Sequence, residues 1–233
     1  VTGAFTNRYY AAGLQPRTAV GNPYGDGYYD DFNTAVGLDS AGRTQLHHKG
    51  KLVIGVENTP TVIFDLMQFL VIDLGGVVGQ IGMGQHGTAF AHAGMRMGPA
   101  ICYEGLYGDF YGDFVRRGAQ FMAIISNDGW WGDTPGYKHL FTISRLRAIE
   151  HRRAIARSAN TGMSGFISAR GDIGETLGWE KRGVISAAVP LNSELTFYTR
   201  YGDYLGRISE YLTLLCVLYY IAYRVKRKNY LVK

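Results

Sequence analysis

Residues 98–109 read GPAICYEGLYGD and hold Cys102, one of two cysteines in the chain. The thiol follows a short apolar run, Ala100-Ile101, and stands two residues before Glu104, with glycines at 98, 105 and 108 around it. A thiol and a carboxylate at a strand end could carry acyl transfer. A free thiol has a pKa near ~8.5, so little of it is thiolate at neutral pH. A nearby carboxylate can take its proton, and an ammonium can stabilise the thiolate and then the oxyanion of a tetrahedral intermediate. Attack on an ester carbonyl leaves a thioester that an amine can resolve, with no cofactor. The plain alternative is a small core cysteine, since free cysteine is among the most buried residue types. The stretch alone leaves both open.

The elements around it must supply a buried strand and a tight turn. The chain has 233 residues, 46% hydrophobic and 18% charged, with 32 glycines. That suits one large domain, or one domain and an appendage, built from short elements and many turns. Net charge is +5, and the last ten residues, RVKRKNYLVK, carry five Lys or Arg and no acid. Without those five charges the rest is formally neutral, which excludes a globally basic nucleic-acid footprint. Two distant cysteines make no disulfide framework, and no Cys/His spacing suggests a metal. Val1-Thr2-Gly3-Ala4-Phe5 already reads like the inside of a strand, with no signal-peptide pattern, so the chain is expected to be a piece whose amino-terminal part is missing.

Along the chain, Phe32–Leu38 and 44–48 read as a hairpin about the turn Asp39-Ser40-Ala41-Gly42. Residues 61–74, TVIFDLMQFLVIDL, are long and apolar enough for a short helix. The glycine-rich 75–98, with Met83, Phe90, Met95 and Met97, reads as a mobile loop, either a plain surface loop or one near an apolar ligand. A strand ends at Cys102, an amphipathic helix covers 109–118, and Gln120–Ser126 is a continuous apolar run of the kind a strand buried on both faces shows. Residues 138–157 predict a helix, with apolar positions 140, 143, 146, 149 and 155 near a 3.6-residue period. Further strands are expected at 164–169 and 183–189. Helices alternating with buried strands indicate layered α/β architecture. Tyr211–Tyr223 runs thirteen residues without a charge. With its neighbours it predicts a membrane helix over 204–225 and a basic tail over 226–233; the alternative is a core helix with a solvated tail.

Five ordered motifs, HHKGKLVIGVE (47–57), ICYE (101–104), SNDGWWG (126–132), RAIEHRRAIARSANTG (147–162) and FYTRYGD (197–203), make the chain resemble the nitrilase superfamily, and within it the bacterial apolipoprotein N-acyltransferases. The resemblance implies a four-layer α-β-β-α sandwich, amino-terminally truncated, over residues 1–203, followed by a transmembrane helix. It implies Cys102 as nucleophile and Lys49 as catalytic lysine, with Lys51 the nearest competitor. Glu57, Glu104, Tyr103 and Trp130 are implied as supporting residues. The family's general base is a glutamate on an earlier strand, which would precede Val1, and its usual proline after the lysine is replaced by Ile54. Implied too are a phospholipid acyl donor, a diacylglyceryl-lipoprotein acceptor, no cofactor, no metal and no nucleic acid. The implied location is the bacterial inner membrane, with the catalytic domain periplasmic and the carboxyl terminus cytoplasmic. Two further readings stand beside this one: a soluble amidase using water as acceptor, and an inactive fragment lacking its base. Bland roles exist throughout. Lys49 could be solvated on its hairpin, Glu104 could cap a helix start, Glu57 could lie on the surface, and Trp130 could pack in the core. His47, His48 and His139 read as surface or satisfied histidines, Arg147 and Glu150 as a helix-surface or interface pair, and Cys216 as inert.

Overall fold

The computed structural model describes residues 1–23, 25–54, 57 and 81–231. Two sheets pack face to face. In the first, β3 (Tyr28–Leu38) is central. It pairs antiparallel with β1 (Thr2–Tyr10) on one side, and with β2 (Val20–Gly21) and β4 (Thr44–His48) on the other. The second has six strands in the order β10-β9-β8-β7-β6-β5. Its centre is parallel: β6 (Met95–Ile101), β7 (Phe121–Ser126) and β8 (Ile155–Ala159) run side by side. Antiparallel β5 (Phe90–His92), β9 (Ser164–Ile167) and β10 (Ile173–Leu177) flank them.

The apolar run at β7 follows from burial on both faces, as a central parallel strand requires. One face of the six-stranded sheet, through Ala100, Met122, Ile124, Ile155 and Ile167, packs on α1 (Gly108–Arg116) and α2 (Pro135–His151). Its other face meets the first sheet through Ala35, Phe90 and Ile101. Sheet, sheet and helix are thus the three layers among the described residues. Past the second sheet come a short helix, α3 (Phe197–Tyr201), and a 28-residue terminal helix, α4 (Tyr204–Leu231). Its Tyr204–Arg224 portion is long and apolar enough to cross a membrane, and none of it is buried against the rest of the chain.

Four expectations change. The glycine-rich 75–98 is not one loop: β5 and β6 form a hairpin within it, closed by Ala93 and Gly94 at φ 48° and 77°. Two successive left-handed residues match strand twist at a two-residue turn. Phe90 is buried between the sheets, whereas Met83 is exposed. Residues 183–189 are unpaired, with Val184 95% exposed, because an apolar stretch becomes a strand only where a neighbour offers a ladder. Helix α2 ends at His151 rather than 157, since Arg152 turns left-handed at φ 50°. It buries Leu140, Phe141, Ser144, Arg147, Ala148 and His151, leaving Leu146 and Ile149 about half exposed. The inward face is polar because backbone carbonyls beneath it need donors. Arg147 serves Leu106, and His151 serves Gly108. The expected helix at 61–74 lies outside the described residues.

Candidate active site

The parallel ladder brings three strand ends to one rim. Ile101 is level with Ile125, and Ser126 with Ala159, so Cys102, the Ser126–Asp128 turn and Asn160 emerge together. Cys102 leaves β6 with φ 45°, a left-handed residue that turns the chain at once into the 3-10 turn Cys102–Leu106. Its thiol is partly exposed and unbridged.

Lys49 follows directly on β4. Its amide donates to Asn33 O at 2.8 Å, and its carbonyl accepts from Gly84 N at 2.9 Å. The side chain is 2% exposed, and Nζ donates to both Glu57 oxygens, at 2.8 and 2.7 Å. Glu57 also accepts from Asn33 Nδ2 at 3.0 Å and Val53 N at 2.8 Å. An ammonium has three donors, so this clamp leaves one N–H of Lys49 unspent. Lys51 is different: its Nζ lies over the Tyr107 and Phe110 rings, at 5.3 and 5.4 Å. The two lysines are thereby separated.

Glu104 links the two halves. It is fully buried, accepts from Gly50 N and Ile101 N at 2.6 Å each, and both its oxygens lie 3.1 Å from His47 Nε2. Gly50 belongs to the lysine segment and Ile101 to the cysteine strand, so one carboxylate holds both. The bond back to Ile101 is also a cap of the following turn, so the cap reading and the site reading coincide. Gly50 is required by space, because a Cβ there would meet the Phe110 ring at 2.3 Å. His47 is buried and only half satisfied: its Nε2 meets Glu104, while its Nδ1 has no partner among the described residues. Burial and the nearby Arg8 charge pull the His48 pKa down, and His139 is exposed. The two expected supporting carboxylates are both taken up, Glu57 by Lys49 and Glu104 by backbone and imidazole.

Tyr103 packs edge-on against Tyr107 at 5.5 Å; burial and the Tyr103 hydrogen bond raise the Tyr107 pKa. Trp130, in the turn Gly129–Trp131, is 49% exposed and so is not core packing. Arg147 and Glu150 pair at 3.0 Å, but Arg147 is buried rather than on the surface. Cys216 is exposed on α4. Sequence reading missed the buried pair of Asp128 and Arg157, at 2.8 and 2.9 Å, which with Asn160 fixes the SND turn beside Cys102. The available signal was the acid inside SND and an arginine three residues before Asn160.

Against known proteins, the carbon-nitrogen hydrolase family model matches residues 7–195. The apolipoprotein N-acyltransferase of Chlorobaculum tepidum is 36% identical over 181 residues, 75% of this chain and 34% of that protein. The enzyme of the same name from Verminephrobacter eiseniae is 35% identical over 190 residues, 78% of this chain and 34% of that one. The chain spans about a third of the length of these curated relatives. Among solved structures, an amidase of the nitrilase superfamily from Nesterenkonia AN1 superposes with a TM-score of 0.53 at 16% identity, over 76% of this chain and 62% of that one. At that identity the likeness concerns the fold.

Proposed function

The chain belongs to the carbon-nitrogen hydrolase family, and from that premise we propose that it is the catalytic part of an N-acyltransferase. It moves a fatty acyl chain from a phospholipid, through a Cys102 thioester, to the amino-terminal amine of a diacylglyceryl-lipoprotein. The observation that carries the reading is Glu104, which holds the Lys49 segment and the Cys102 strand end to one another. The names of the relatives supply the substrate class.

In the first half-reaction the Cys102 thiolate attacks the ester carbonyl, and the carbonyl π electrons move to oxygen beside the remaining Lys49 N–H. Collapse breaks the ester C–O bond and releases the lyso-lipid alcohol, which takes the proton removed from the thiol. In the second, the lipoprotein amine attacks the thioester, the C–S bond breaks, and the base accepts the amine proton. Glu57 and Glu104 are both engaged with other partners, and the family resemblance implies that the base is a glutamate on an earlier strand. A fourth, helical layer over the outer face of β1–β4 completes the sandwich. Helix α4 anchors the domain in the inner membrane, with the catalytic domain periplasmic and Arg224 to Lys228 on the cytoplasmic flank, following the positive-inside tendency.

The test is acyl-enzyme formation with a labelled phospholipid by the full-length protein in detergent. Cys102→Ala abolishes it, Lys49→Arg fails nearly as badly because a guanidinium cannot replace a compact ammonium in the Glu57 clamp, and Lys51→Ala stays near normal. Thioester on Cys102→Ala, or Lys51→Ala failing while Lys49→Arg works, sinks the assignment. Hydrolysis of a simple amide with no acyl transfer moves the reading to the hydrolase. The 233-residue chain alone should label with iodoacetamide at Cys102 without turnover.

A further inference from the structure

A cavity of about 710 Å³ opens at the end of the molecule away from Cys102. It lies between the β3–β4 turn, the β5–β6 turn and the segment from Gly118 to Gln120. Its wall includes Met95 and Arg96, at the start of β6, whereas Cys102 follows the end of that seven-residue strand. At ~3.3 Å per residue the two lie roughly 20 Å apart along the strand.

Three arginines line it: Arg43, Arg96 and Arg153. Arg153 is the informative one, because it is only 1% exposed and has no ion-pair partner among the described residues. Its Nε donates to Ala119 O at 2.8 Å, and Nη1 to the carbonyls of Glu194 at 2.9 Å and His151 at 3.1 Å. Nη2 meets no acceptor among the described residues. A buried cation held by carbonyls, with one end of its fork unspent, is costly unless something anionic visits it. The Glu194 carboxylate acts on it only from a distance.

The rim adds positive charge. Arg96 spends Nη1 on Arg117 O, and its side chain is exposed. Arg43 pairs through Nε with Asp39 at 2.7 Å, and its side chain is 82% exposed. Asp39 is the lining's one carboxylate among the described residues, and it is already taken up by Arg43 and by the amides of Ala41 and Arg43. The volume falls within the range of small-molecule sites, and a guanidinium fork suits phosphate or carboxylate oxygens.

We propose that this cavity binds a small phosphate- or carboxylate-bearing molecule, with Arg153 at its floor and Arg43 and Arg96 at its rim. The site stands apart from Cys102 and does not depend on the acyl-transfer reading. Inorganic phosphate, citrate and glycerol 3-phosphate are titrated by calorimetry into the protein in detergent, with sodium chloride holding ionic strength constant. A soluble short-chain phosphatidylglycerol forms a second arm. Saturable binding of the solutes identifies a free metabolite-like anion, and binding of the lipid alone identifies a headgroup; either supports the site. The double variant Arg43→Gln/Arg96→Gln changes only exposed side chains and should weaken binding about ten-fold or more, as expected for losing charge-assisted contacts. Arg153→Lys keeps the charge but loses the fork, and tests the floor if Arg153→Gln fails to fold. Absence of saturable binding by every probe overturns the proposal, as does affinity unchanged in the double variant.

Discussion

Glu104→Gln keeps the shape of the side chain and changes little but charge and donor pattern. In the native arrangement one oxygen accepts from Gly50 N and the other from Ile101 N, both at 2.6 Å, with His47 Nε2 against both. A glutamine can present its oxygen to only one of these amides. The other then faces an NH₂ group, donor to donor, in a site closed to water. One lost charge-assisted bond costs about 2 kcal/mol and one stranded buried donor about 2 kcal/mol more, so the variant should lose about 4 kcal/mol. That is a large part of a typical domain stability. Urea unfolding is followed through the three tryptophans, all of which precede α4. With a urea slope of roughly 2 kcal/mol/M the midpoint should fall by about 2 M at unchanged slope. His47→Leu removes one donor and leaves both backbone bonds, so it should cost about half as much. A midpoint shift under about 0.5 M for Glu104→Gln, or a larger loss for His47→Leu, would refute the idea that this carboxylate ties the lysine segment to the cysteine strand.

Other expectations concern burial and close approach. Burial, reinforced by the Arg147 charge, lowers the His151 pKa to about 3 from an ordinary value of 6.5. Below pH 6.5 the unfolded chain therefore binds a proton that the native state refuses. Stability is full above that pH and falls as pH drops toward 3, by about 2 kcal/mol at pH 5. The wild type minus His151→Gln difference across pH 4–8 isolates the effect, and a flat difference sinks it. Gly84→Ala would place a Cβ 2.0 Å from His48 O and force the Lys49 segment to move, whereas Gly105→Ala meets nothing within 4 Å. The first should cost about 2–4 kcal/mol and the second under about 0.5 kcal/mol, measured by unfolding; equal effects would mean that the Lys49 segment is free to relax.

What could be read from sequence was what local pattern encodes. The β7 run, the β3–β4 hairpin and the strand-then-turn at Cys102 were legible because burial and turn chemistry act within a few residues. The β5–β6 hairpin was not, since a left-handed alanine at 93 carries no compositional mark. Residues 183–189 looked like a strand because their apolar content is local, whereas pairing is not. The inward face of α2 was not legible because the periodicity rule assumes apolar residues inside, and here Arg147 and His151 answer carbonyls of a distant turn. Glu104 was legible by proximity to Cys102. Its partners Gly50 and His47 were not, lying more than fifty residues away. Asp128 and Arg157 escaped for the same reason, their meeting being set by the register of β7 on β8.

Cys102 sits where a side chain is least welcome. A left-handed backbone costs an ordinary L-residue roughly 1 kcal/mol or more, and glycine almost nothing. The chain therefore holds the proposed nucleophile at a position where drift toward glycine or asparagine would make the fold more robust. A lineage released from the need for the thiol should lose it early and gain stability by doing so. On the proposed acyl-transfer reading, a cysteine at this φ is held by selection for its chemistry against the pull toward a more relaxed turn.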